Sequence, residues 1–492
     1  MTPSPSAHTG SPPMQSAPTG LLPLYVDLDG TLIYTDLLFE SVLHLLKKNP
    51  LYLFACLFWV CGGRAKLKDE IAKRVDIDPT LLPFNRTFLD YLSGQRALGR
   101  RIVLASASNE KLVQCVADHL GLFDAVMGSD AHCNLKSAAK LRAIKAQVRD
   151  GFAYAGNSSA DLTVWAQAQE ILIVNASAST ARSATAGRQP VLLIPRRPVG
   201  LTVVLKALRL HQWTKNALLF LPLLAAHDGN AHSWLMTLLA FVSFGLTASA
   251  TYVINDLLDL DADRAHPRKR LRAFAAATLG IPLGLSLVIV LLPAGLLLAA
   301  SVSLPFFGLM LLYVAATLLY SARLKKIAFV DVLVLAMLYT HRLFAGGVAG
   351  GVEISSWLLI VSLFMFLSLA LIKRCVELEF MDDSGKAQLA GRGYRKSDLP
   401  YLVSMGTSSG LVAVMVLALY VESQVGGTQY PHAGLLWLML PPILYWIMRL
   451  WIKTSRCELH DDPLVFAMTD PLSWVLAGLI ATIAVVASVG QW

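Results

Sequence analysis

The sequence has 492 residues, of which 55% are hydrophobic and 15% are charged. An apolar excess of this size excludes a single soluble globular protein, and the excess lies almost wholly after residue 200. The formal net charge is +9. Because Lys and Arg are concentrated in loops after alternate apolar segments, this charge indicates membrane topology rather than nucleic-acid binding.

The N-terminal tail, residues 1–20, is rich in Pro, Ser, Thr and Gly and is predicted to be disordered. It has neither a basic start nor an apolar core, which argues against a signal peptide. The six cysteines form no close pair of the kind that binds a metal, so free thiols are expected.

A soluble α/β domain is predicted next. The run LLPLYVDLDGTLIYTD reads as a buried strand that ends in an acidic turn, and further strands are expected at 102–106, 152–155 and 171–174. Their alternation with helical stretches indicates a parallel sheet. Polar groups fall at the carboxyl ends of the strands, where reactive groups collect in such sheets: Asp27, Asp29, Ser106, Asn157 and Asp161.

These residue types suit phosphoryl transfer. Asp27 is the candidate nucleophile, Asp29 the acid and base, and Ser106 a donor to phosphate, while Lys136 would balance charge and Asp161 would hold magnesium. The order DxDGT, Ser, Lys and acidic loop resembles the haloacid dehalogenase-like (HAD) superfamily over residues 21–195. The resemblance implies a Rossmannoid hydrolase domain with Mg²⁺ held by Asp27, Asn157 and Asp161.

One residue departs from the HAD pattern, because the fourth motif is GNSSAD and Asn157 stands where an aspartate is usual. Two interpretations of the domain remain open, an active phosphatase and an inactive scaffold or regulatory module. The helical stretch at 36–95 is interpreted as a cap, and it contains the apolar run LYLFACLFWVCGG. That run is too short to cross a bilayer, so it either forms the core of the cap or inserts into the membrane surface.

A linker and a basic interfacial helix are predicted at 196–215, followed by a membrane domain at 216–492. Nine apolar segments are expected to span the bilayer. They are 216–232, 233–254, 277–300, 302–320, 328–350, 356–373, 399–423, 432–452 and 470–490. By the positive-inside rule, the N-terminal domain is cytoplasmic and the C-terminus lies on the other side.

The motif NDLLDLDAD follows the second segment. On a helix, Asp256, Asp259 and Asp263 share one face, with Asn255 beside them and Asp261 turned away. Carboxylates that lie close together stay ionised when a cation compensates their charge. Their hard oxygen atoms are suitable ligands for Mg²⁺. A Mg²⁺ site in turn favours a phosphorylated substrate. The alternative is a solvated helix end that pairs with the following basic residues.

The membrane part also contains LRLHQWTKN, HPRKR, YSARLKK and Asp331, and together these resemble the UbiA superfamily of intramembrane transferases. The resemblance implies an all-α polytopic domain in which helices surround a cavity and aspartate motifs hold Mg²⁺ and a diphosphate. The second aspartate motif is reduced, since Leu335 stands four residues after Asp331.

Four motifs are similar to those of decaprenyl-phosphate phosphoribosyltransferases: QWTKN, NDxxDxxxDRxHPxKR, YSxxLK and LYxxRxxxGG. This implies transfer of 5-phosphoribose from phosphoribosyl diphosphate to a polyprenyl phosphate. The candidate substrate-binding residues are Lys215, Asn255, Lys269, Arg270, Lys325 and Arg342. The alternative for Arg342, which lies inside a span, is a buried salt bridge to Asp331.

The sequence therefore predicts a bifunctional multi-pass enzyme of the inner (cytoplasmic) membrane, in which the HAD domain removes the 5-phosphate of the lipid product. Homo-oligomers are also considered. One alternative is a prenyltransferase that moves an isoprenyl group to an aromatic acceptor and carries a regulatory HAD domain. Another is a lipid transporter with an inactive soluble domain.

Overall fold

The computed structural model describes residues 20–131, 133–185, 187–379, 392–424, 430–459 and 463–489. The predicted disordered tail therefore lies outside the described residues, apart from Gly20. The chain divides into two compact units, which are taken separately below. The first contains the described residues up to Ala207 together with Asp256–Ser286, and the second contains Leu208–Asn255 and the described residues from Leu287 onward.

The first unit is built on a six-stranded parallel sheet, which confirms the predicted parallel α/β arrangement. The strands are β1 (Leu24–Val26), β2 (Ile102–Asn109), β3 (Ala125–Ser129), β4 (Ala153–Gly156), β5 (Glu170–Ala176) and β6 (Leu192–Pro195). Their order is β3-β2-β1-β4-β5-β6, so the direction of winding reverses between β1 and β4. In doubly wound sheets, ligands bind at the carboxyl ends of the strands at this reversal.

Helices cover both faces of the sheet. They are α1 (Leu37–Lys48), α2 (Tyr52–Cys61), α3 (Arg64–Ala72), α4 (Arg86–Ala97), α5 (Glu110–Leu120), α6 (Ala138–Gln147), α7 (Leu162–Trp165) and α8 (Ala178–Thr185). Alternate residues of β1 enter opposite cores, because successive strand side chains point to opposite faces. Leu24 and Val26 pack with Phe88, whereas Tyr25 packs with Trp165.

The predicted cap, 36–95, contains α1, α2, α3 and most of α4. Phe88 and Leu92 of α4 pack in the core beside the sheet, whereas α1, α2 and α3 share a smaller cluster of their own. Leu45, Leu67 and Ile71 form a small apolar cluster between α1 and α3. Only one face of α2 packs against this cluster, so the apolar run at 51–61 is not simply the core of the cap.

Eight helices among the described residues are long and apolar enough to cross a membrane. They are Ala231–Leu258, Ile281–Val302, Leu304–Ala322, Val330–Gly350, Ser356–Glu379, Lys396–Gln424, Ala433–Ser455 and Pro471–Ser488. The α-helices from residue 201 onward are α9 (Leu201–Ala207), α10 (Leu221–Ala225), α11 (Ala231–Leu258), α12 (Leu260–Ala265), α13 (Ile281–Val302), α14 (Leu304–Ala322), α15 (Val330–Gly350), α16 (Ser356–Glu379), α17 (Leu399–Gln424), α18 (Leu440–Ser455), α19 (Pro463–Thr469) and α20 (Pro471–Ser488).

The first predicted span, 216–232, does not form a spanning α-helix. Leu210–Phe220 is a 3₁₀ helix, and the short α10 follows it. The apolar run ends early because His227, Asp228 and Asn230 are polar, which leaves too few residues for an α-helix across the bilayer. The predicted interfacial helix is also shorter than expected, since α9 ends at Ala207 and Arg209 has a φ of +52°.

Candidate functional site

Asp27 lies directly after β1 at the carboxyl edge of the sheet and is 7% exposed. Its Oδ1 accepts a hydrogen bond from Lys140 Nζ at 2.7 Å, and the same Nζ donates to the Tyr154 hydroxyl at 3.0 Å. Burial raises the pKa of Asp27 to about 7, while the Lys140 charge opposes the rise. Lys140 therefore supplies the positive charge that keeps a carboxylate in this dry position.

Asp29 lies two residues farther along the same turn. Its Oδ1 accepts from the Leu37 N–H at 2.8 Å, and its Oδ2 accepts from Ser108 at 2.6 Å and from Ser106 at 3.3 Å. The pKa of Asp29 is raised to about 6, because the effect of burial exceeds the opposite effect of these hydrogen bonds. The structure thus brings Asp27, Asp29 and Ser106 together at the carboxyl edge of the sheet, and their predicted roles stay predictions.

Asn157 and Asp161 come from the loop after β4. The Asp161 Oδ1 accepts from the Tyr154 hydroxyl at 2.7 Å, while Oδ2 accepts from the Ser158 N–H at 2.9 Å and the Ser158 hydroxyl at 2.8 Å. Gly30, with a φ of +74°, lies so close to the Asn157 amide that a Cβ would collide with it. A metal-binding Asp161 would have to exchange some of these hydrogen bonds for the metal.

Lys140 rather than Lys136 contacts Asp27 in this arrangement. Lys136 lies just before α6, where its backbone N–H donates to the Asn134 carbonyl at 2.8 Å. The predicted role of Lys136 stays a prediction. A cavity of about 390 Å³ opens beside the turn, and it is lined in part by Asp29, Tyr34 and Arg196.

The NDLLDLDAD motif forms a bent helix end rather than one continuous helix. The helix α11 ends at Leu258, Asp259 has φ −96° and ψ 13°, and α12 begins at Leu260. Asp256 and Asp263 are 6% and 3% exposed. Arg272 bridges them, because its NH1 lies 3.3 Å from Asp256 Oδ1 and 2.8 Å from Asp263 Oδ2.

Asp261 is not part of the Arg272 bridge and has partners of its own. It pairs with His44 at 3.2 Å and Lys47 at 3.6 Å, both on α1. Arg264 also binds α1, because its guanidinium forms two hydrogen bonds with the 1%-exposed Glu40, at 2.6 and 3.2 Å. The acidic motif segment and the cap helix α1 are therefore held together within the first unit.

The second acidic position, Asp331, lies in the second unit and is fully buried. Its Oδ2 contacts Arg374 Nε at 2.6 Å and Arg392 NH1 at 3.4 Å, and its Oδ1 accepts from the Tyr394 hydroxyl. Arg374 also pairs with Glu377. Asp331 is thus neutralised by guanidinium groups.

The salt bridge considered between Arg342 and Asp331 does not form in the described structure. The Arg342 Nε donates to the Asn216 side-chain oxygen at 3.2 Å, and its NH1 donates to the Leu338 carbonyl at 2.8 Å. The guanidinium lies 5.2 Å from the Phe244 ring centroid. Among the residues that the structure describes, this buried cation contacts no carboxylate.

The other predicted basic ligands lie in different surroundings. Lys215 lines a mainly apolar cavity of about 540 Å³ with Met365, Trp446 and Trp474, and its Nζ is 5.7 Å from the Tyr339 ring centroid. Lys269 and Arg270 are exposed on the 3₁₀ turn Lys269–Leu271, and Lys325 is half-buried on the turn Leu324–Lys326.

The donor chemistry at Asp256 and Asp263 fits a divalent cation. Both are buried carboxylates that one positive group already bridges, and Asn255 Oδ1, one residue earlier, is buried without a hydrogen-bond partner among the described residues. As the side chains stand, no group of three His, Cys, Asp or Glu in the described parts of the chain is arranged to hold a metal. For Asp256 and Asp263 to hold a metal, Arg272 would have to move away from them.

Comparison with known proteins identifies the membrane part. Residues 217–469 match the family model described as the UbiA prenyltransferase family. The uncharacterized protein y4nM of Sinorhizobium fredii is 37% identical over 470 residues, which cover 95% of this chain and 91% of that protein. The chain belongs to the UbiA prenyltransferase family. It is therefore a multi-pass membrane protein with a helical UbiA-like domain. Its similarity to these relatives supports a transferase activity.

Two further similarities were found. The decaprenyl-phosphate phosphoribosyltransferase of Mycobacterium tuberculosis is 34% identical over 228 residues, which cover 45% of this chain and 75% of that enzyme. Among solved structures, a UbiA homolog from Archaeoglobus fulgidus bound to GPP and Mg²⁺ is 18% identical, with a TM-score of 0.44 over 58% of this chain and 98% of that one.

Several residues of these sites were missed in the sequence. Lys140 lies one helical turn after Lys136 and could have been weighed against it. Ser108 lies two residues after Ser106 at the same strand end, and Arg272 closes the basic run HPRKRLR. Arg374 and Tyr394 are distant from Asp331 in sequence, so no local spacing indicates their contact with it.

Proposed function

We propose that the membrane domain transfers 5-phosphoribose from phosphoribosyl diphosphate to a polyprenyl phosphate such as decaprenyl phosphate, with Mg²⁺ as cofactor. The observation that carries this proposal is the buried pair Asp256 and Asp263, bridged by one cation, in a chain similar to decaprenyl-phosphate phosphoribosyltransferases. Two buried carboxylates that share a positive group are suited to exchange that group for a metal.

Asp256, Asp259 and Asp263 would hold the metal, with the Asn255 amide oxygen beside them. Bound there, Mg²⁺ would neutralise the charge of the departing pyrophosphate. Arg272, once displaced from the carboxylates, would be available to bind a diphosphate oxygen. Lys269, Arg270 and Lys325 are the proposed contacts for the remaining phosphate groups.

The acceptor lipid would use the apolar cavity that Lys215 lines. Its walls are apolar side chains such as Met365 and Trp474, which suit an isoprenoid chain. Lys215 would contact the lipid phosphate from this wall. Arg342, which is buried without a carboxylate partner among the described residues, is a second candidate for anion binding.

The N-terminal domain would act as a HAD-type phosphatase on the lipid-linked product. Asp27 would attack the phosphorus, Asp29 would move the proton, and Ser106 with Lys136 or Lys140 would hold phosphate oxygens. Asp27, Asn157 and Asp161 are the proposed Mg²⁺ ligands. The similarity to y4nM over 95% of this chain supports a role that needs both parts in one protein.

The N-terminal domain would lie in the cytoplasm, with the membrane domain in the inner membrane. The 3₁₀ helix Leu210–Phe220 and α10 extend about 30 Å, enough to cross the hydrocarbon core. Asn216 contacts Arg342, and side chains on Gly346 and Gly350 would collide with Leu219 and Leu223. The segment therefore runs parallel to α15, which follows the basic residues at 323–326 and would begin on the cytoplasmic side.

The decisive experiment incubates the purified protein with Mg²⁺, labelled phosphoribosyl diphosphate and a polyprenyl phosphate, followed by mass spectrometry of the lipids. The wild type should yield lipid-linked ribose, and Asp27→Asn should accumulate lipid-linked ribose phosphate. Asp256→Asn should yield neither. Ribose phosphate as the final wild-type product would refute the phosphatase half alone.

A second candidate function is prenyl transfer, which the family description itself favours. It predicts consumption of an isoprenyl diphosphate with an aromatic acceptor and no reaction with phosphoribosyl diphosphate. The same protein, offered both donors in parallel, separates the two.

A further inference from the structure

The cap helix α2 carries an apolar face that nothing in the described structure covers. Leu53, Phe54, Leu57 and Phe58 are 50%, 68%, 61% and 73% exposed. Their spacing places them on one side of the helix. On the other side, Tyr52, Cys56 and Trp59 pack against the apolar cluster between α1 and α3. These contacts anchor the helix and determine which of its faces is exposed.

Positive charge surrounds this face. Of the five Lys or Arg residues in 41–68, Lys47 pairs with Asp261 and Lys68 donates to Ala107 and Asn134, which leaves three that can border the face. Lys48 precedes the helix, Arg64 and Lys66 follow it, and all three are exposed. An apolar helix face bordered by cations is the pattern of helices that lie in the interface of membranes with anionic lipids.

The charge around α2 and the continuation of the chain into membrane-spanning helices indicate what covers this face. A second copy of the chain would bring two sets of these cations together, and the nearest acids, Asp69 and Glu70, already pair with Lys73 and Arg74, which disfavours association through α2. A bilayer, in contrast, is always present, because the same chain continues into eight helices that can span a membrane. The helix has 10 residues, about 15 Å, so it can lie in the interface but cannot cross it.

We propose that α2 inserts its exposed face into the surface of the bilayer that holds the membrane domain. Leu53, Phe54, Leu57 and Phe58 lie among the upper acyl chains, and Lys48, Arg64 and Lys66 contact lipid phosphates. The cap thereby keeps the N-terminal domain at the membrane surface, where a phosphorylated lipid headgroup is within its reach. The insertion itself does not depend on the proposed phosphatase activity.

Spin labelling of the full-length protein in liposomes tests the insertion. The half-exposed Cys56 and the exposed Cys61, Cys115, Cys133 and Cys457 are changed to Ser, and a nitroxide is attached at Phe58→Cys. Leu98→Cys is the matched control, because Leu98 is 61% exposed in the same domain but lies away from α2. Collision rates with molecular oxygen and with a water-soluble nickel chelate are measured in liposomes of zwitterionic and anionic phospholipids.

The proposal expects the label at 58 to collide with oxygen and to be protected from nickel, and the label at 98 to be accessible to nickel. Nickel accessibility at 58 equal to that at 98 would show a solvated face and overturn the proposal. Protection of position 58 from both reagents would show that protein covers the face, which overturns it equally. Omission of the anionic lipid should increase nickel access at 58, and no change would refute the role of the basic residues.

A functional comparison separates insertion from catalysis. Phe54→Asp with Phe58→Asp should reduce hydrolysis of a liposomal lipid phosphate by roughly tenfold or more, because each buried phenylalanine contributes at least that factor to partitioning. Hydrolysis of a soluble aryl phosphate by the same protein should be unchanged, and Leu98→Asp should affect neither. If no variant hydrolyses either phosphate, the phosphatase proposal fails, while the labelling result still decides the insertion.

Discussion

The two acidic positions of the UbiA-like sequence differ in how their charge is balanced. Asp256 and Asp263 share Arg272, whose side chain is 35% exposed, whereas Asp331 and its partner Arg374 are both fully buried. A half-exposed guanidinium can leave its carboxylates and be solvated, but a buried one cannot without a large desolvation cost. The first position is therefore suited to exchange its cation for a metal, and the second is suited to hold helices together.

Loss of Asp256 should produce the largest effect on activity. Asp256→Asn removes one charged ligand and should lower transferase turnover at least about 100-fold at limiting Mg²⁺, since metal sites depend steeply on their ligands. Thermal stability should change little, because Arg272 keeps Asp263 and can be solvated. Turnover and melting temperature of the detergent-purified protein provide the measurement, and unchanged turnover would remove the metal site from this motif.

Loss of Asp331 should have the opposite profile. Asp331→Asn leaves Arg374 buried with Glu377 as its remaining acidic partner, and removal of one member of a buried pair costs about 3–5 kcal/mol. The melting temperature should therefore fall sharply, while the Mg²⁺ concentration for half-maximal turnover of the folded fraction stays the same. A raised Mg²⁺ requirement without a loss of stability would instead make Asp331 a metal ligand.

Within the first unit, the ion pair Glu40–Arg264 is buried, whereas the ion pair Lys47–Asp261 is partly exposed. Glu40 is 1% exposed and accepts two hydrogen bonds from Arg264, so Glu40→Gln should destabilise this unit by about 3 kcal/mol. Hydrogen exchange of the α1 and α12 amides is the direct measurement. Lys47→Gln is the control, since Lys47 is 47% exposed and its pair with Asp261 should contribute less than about 1 kcal/mol.

Local patterns predicted more of the fold than of the contacts within the sites. Strand positions and the residues Asp27, Asp29 and Ser106 follow from short motifs, because strand ends in a parallel sheet must meet at one edge. The short apolar run at 216–226 did not indicate a 3₁₀ helix, and the close approach of Leu219 to Gly346 is a tertiary contact that no local pattern encodes. Arg374 reaches Asp331 over 43 positions, and such pairing is decided by helix packing that no single motif encodes.

The smallest effect is expected for Arg272, and it is the sharpest test of exchange between guanidinium and metal. Arg272→Gln removes a cation that competes for Asp256 and Asp263, so Mg²⁺ should bind severalfold more tightly, corresponding to roughly 1 kcal/mol for a half-exposed pair. Mn²⁺ binding followed by electron paramagnetic resonance reports this without reference to activity. Arg268→Gln is the matched control, because Arg268 is exposed and belongs to the same basic run. Weaker Mn²⁺ binding in Arg272→Gln would mean that Arg272 orients the carboxylates for the metal rather than standing in its place.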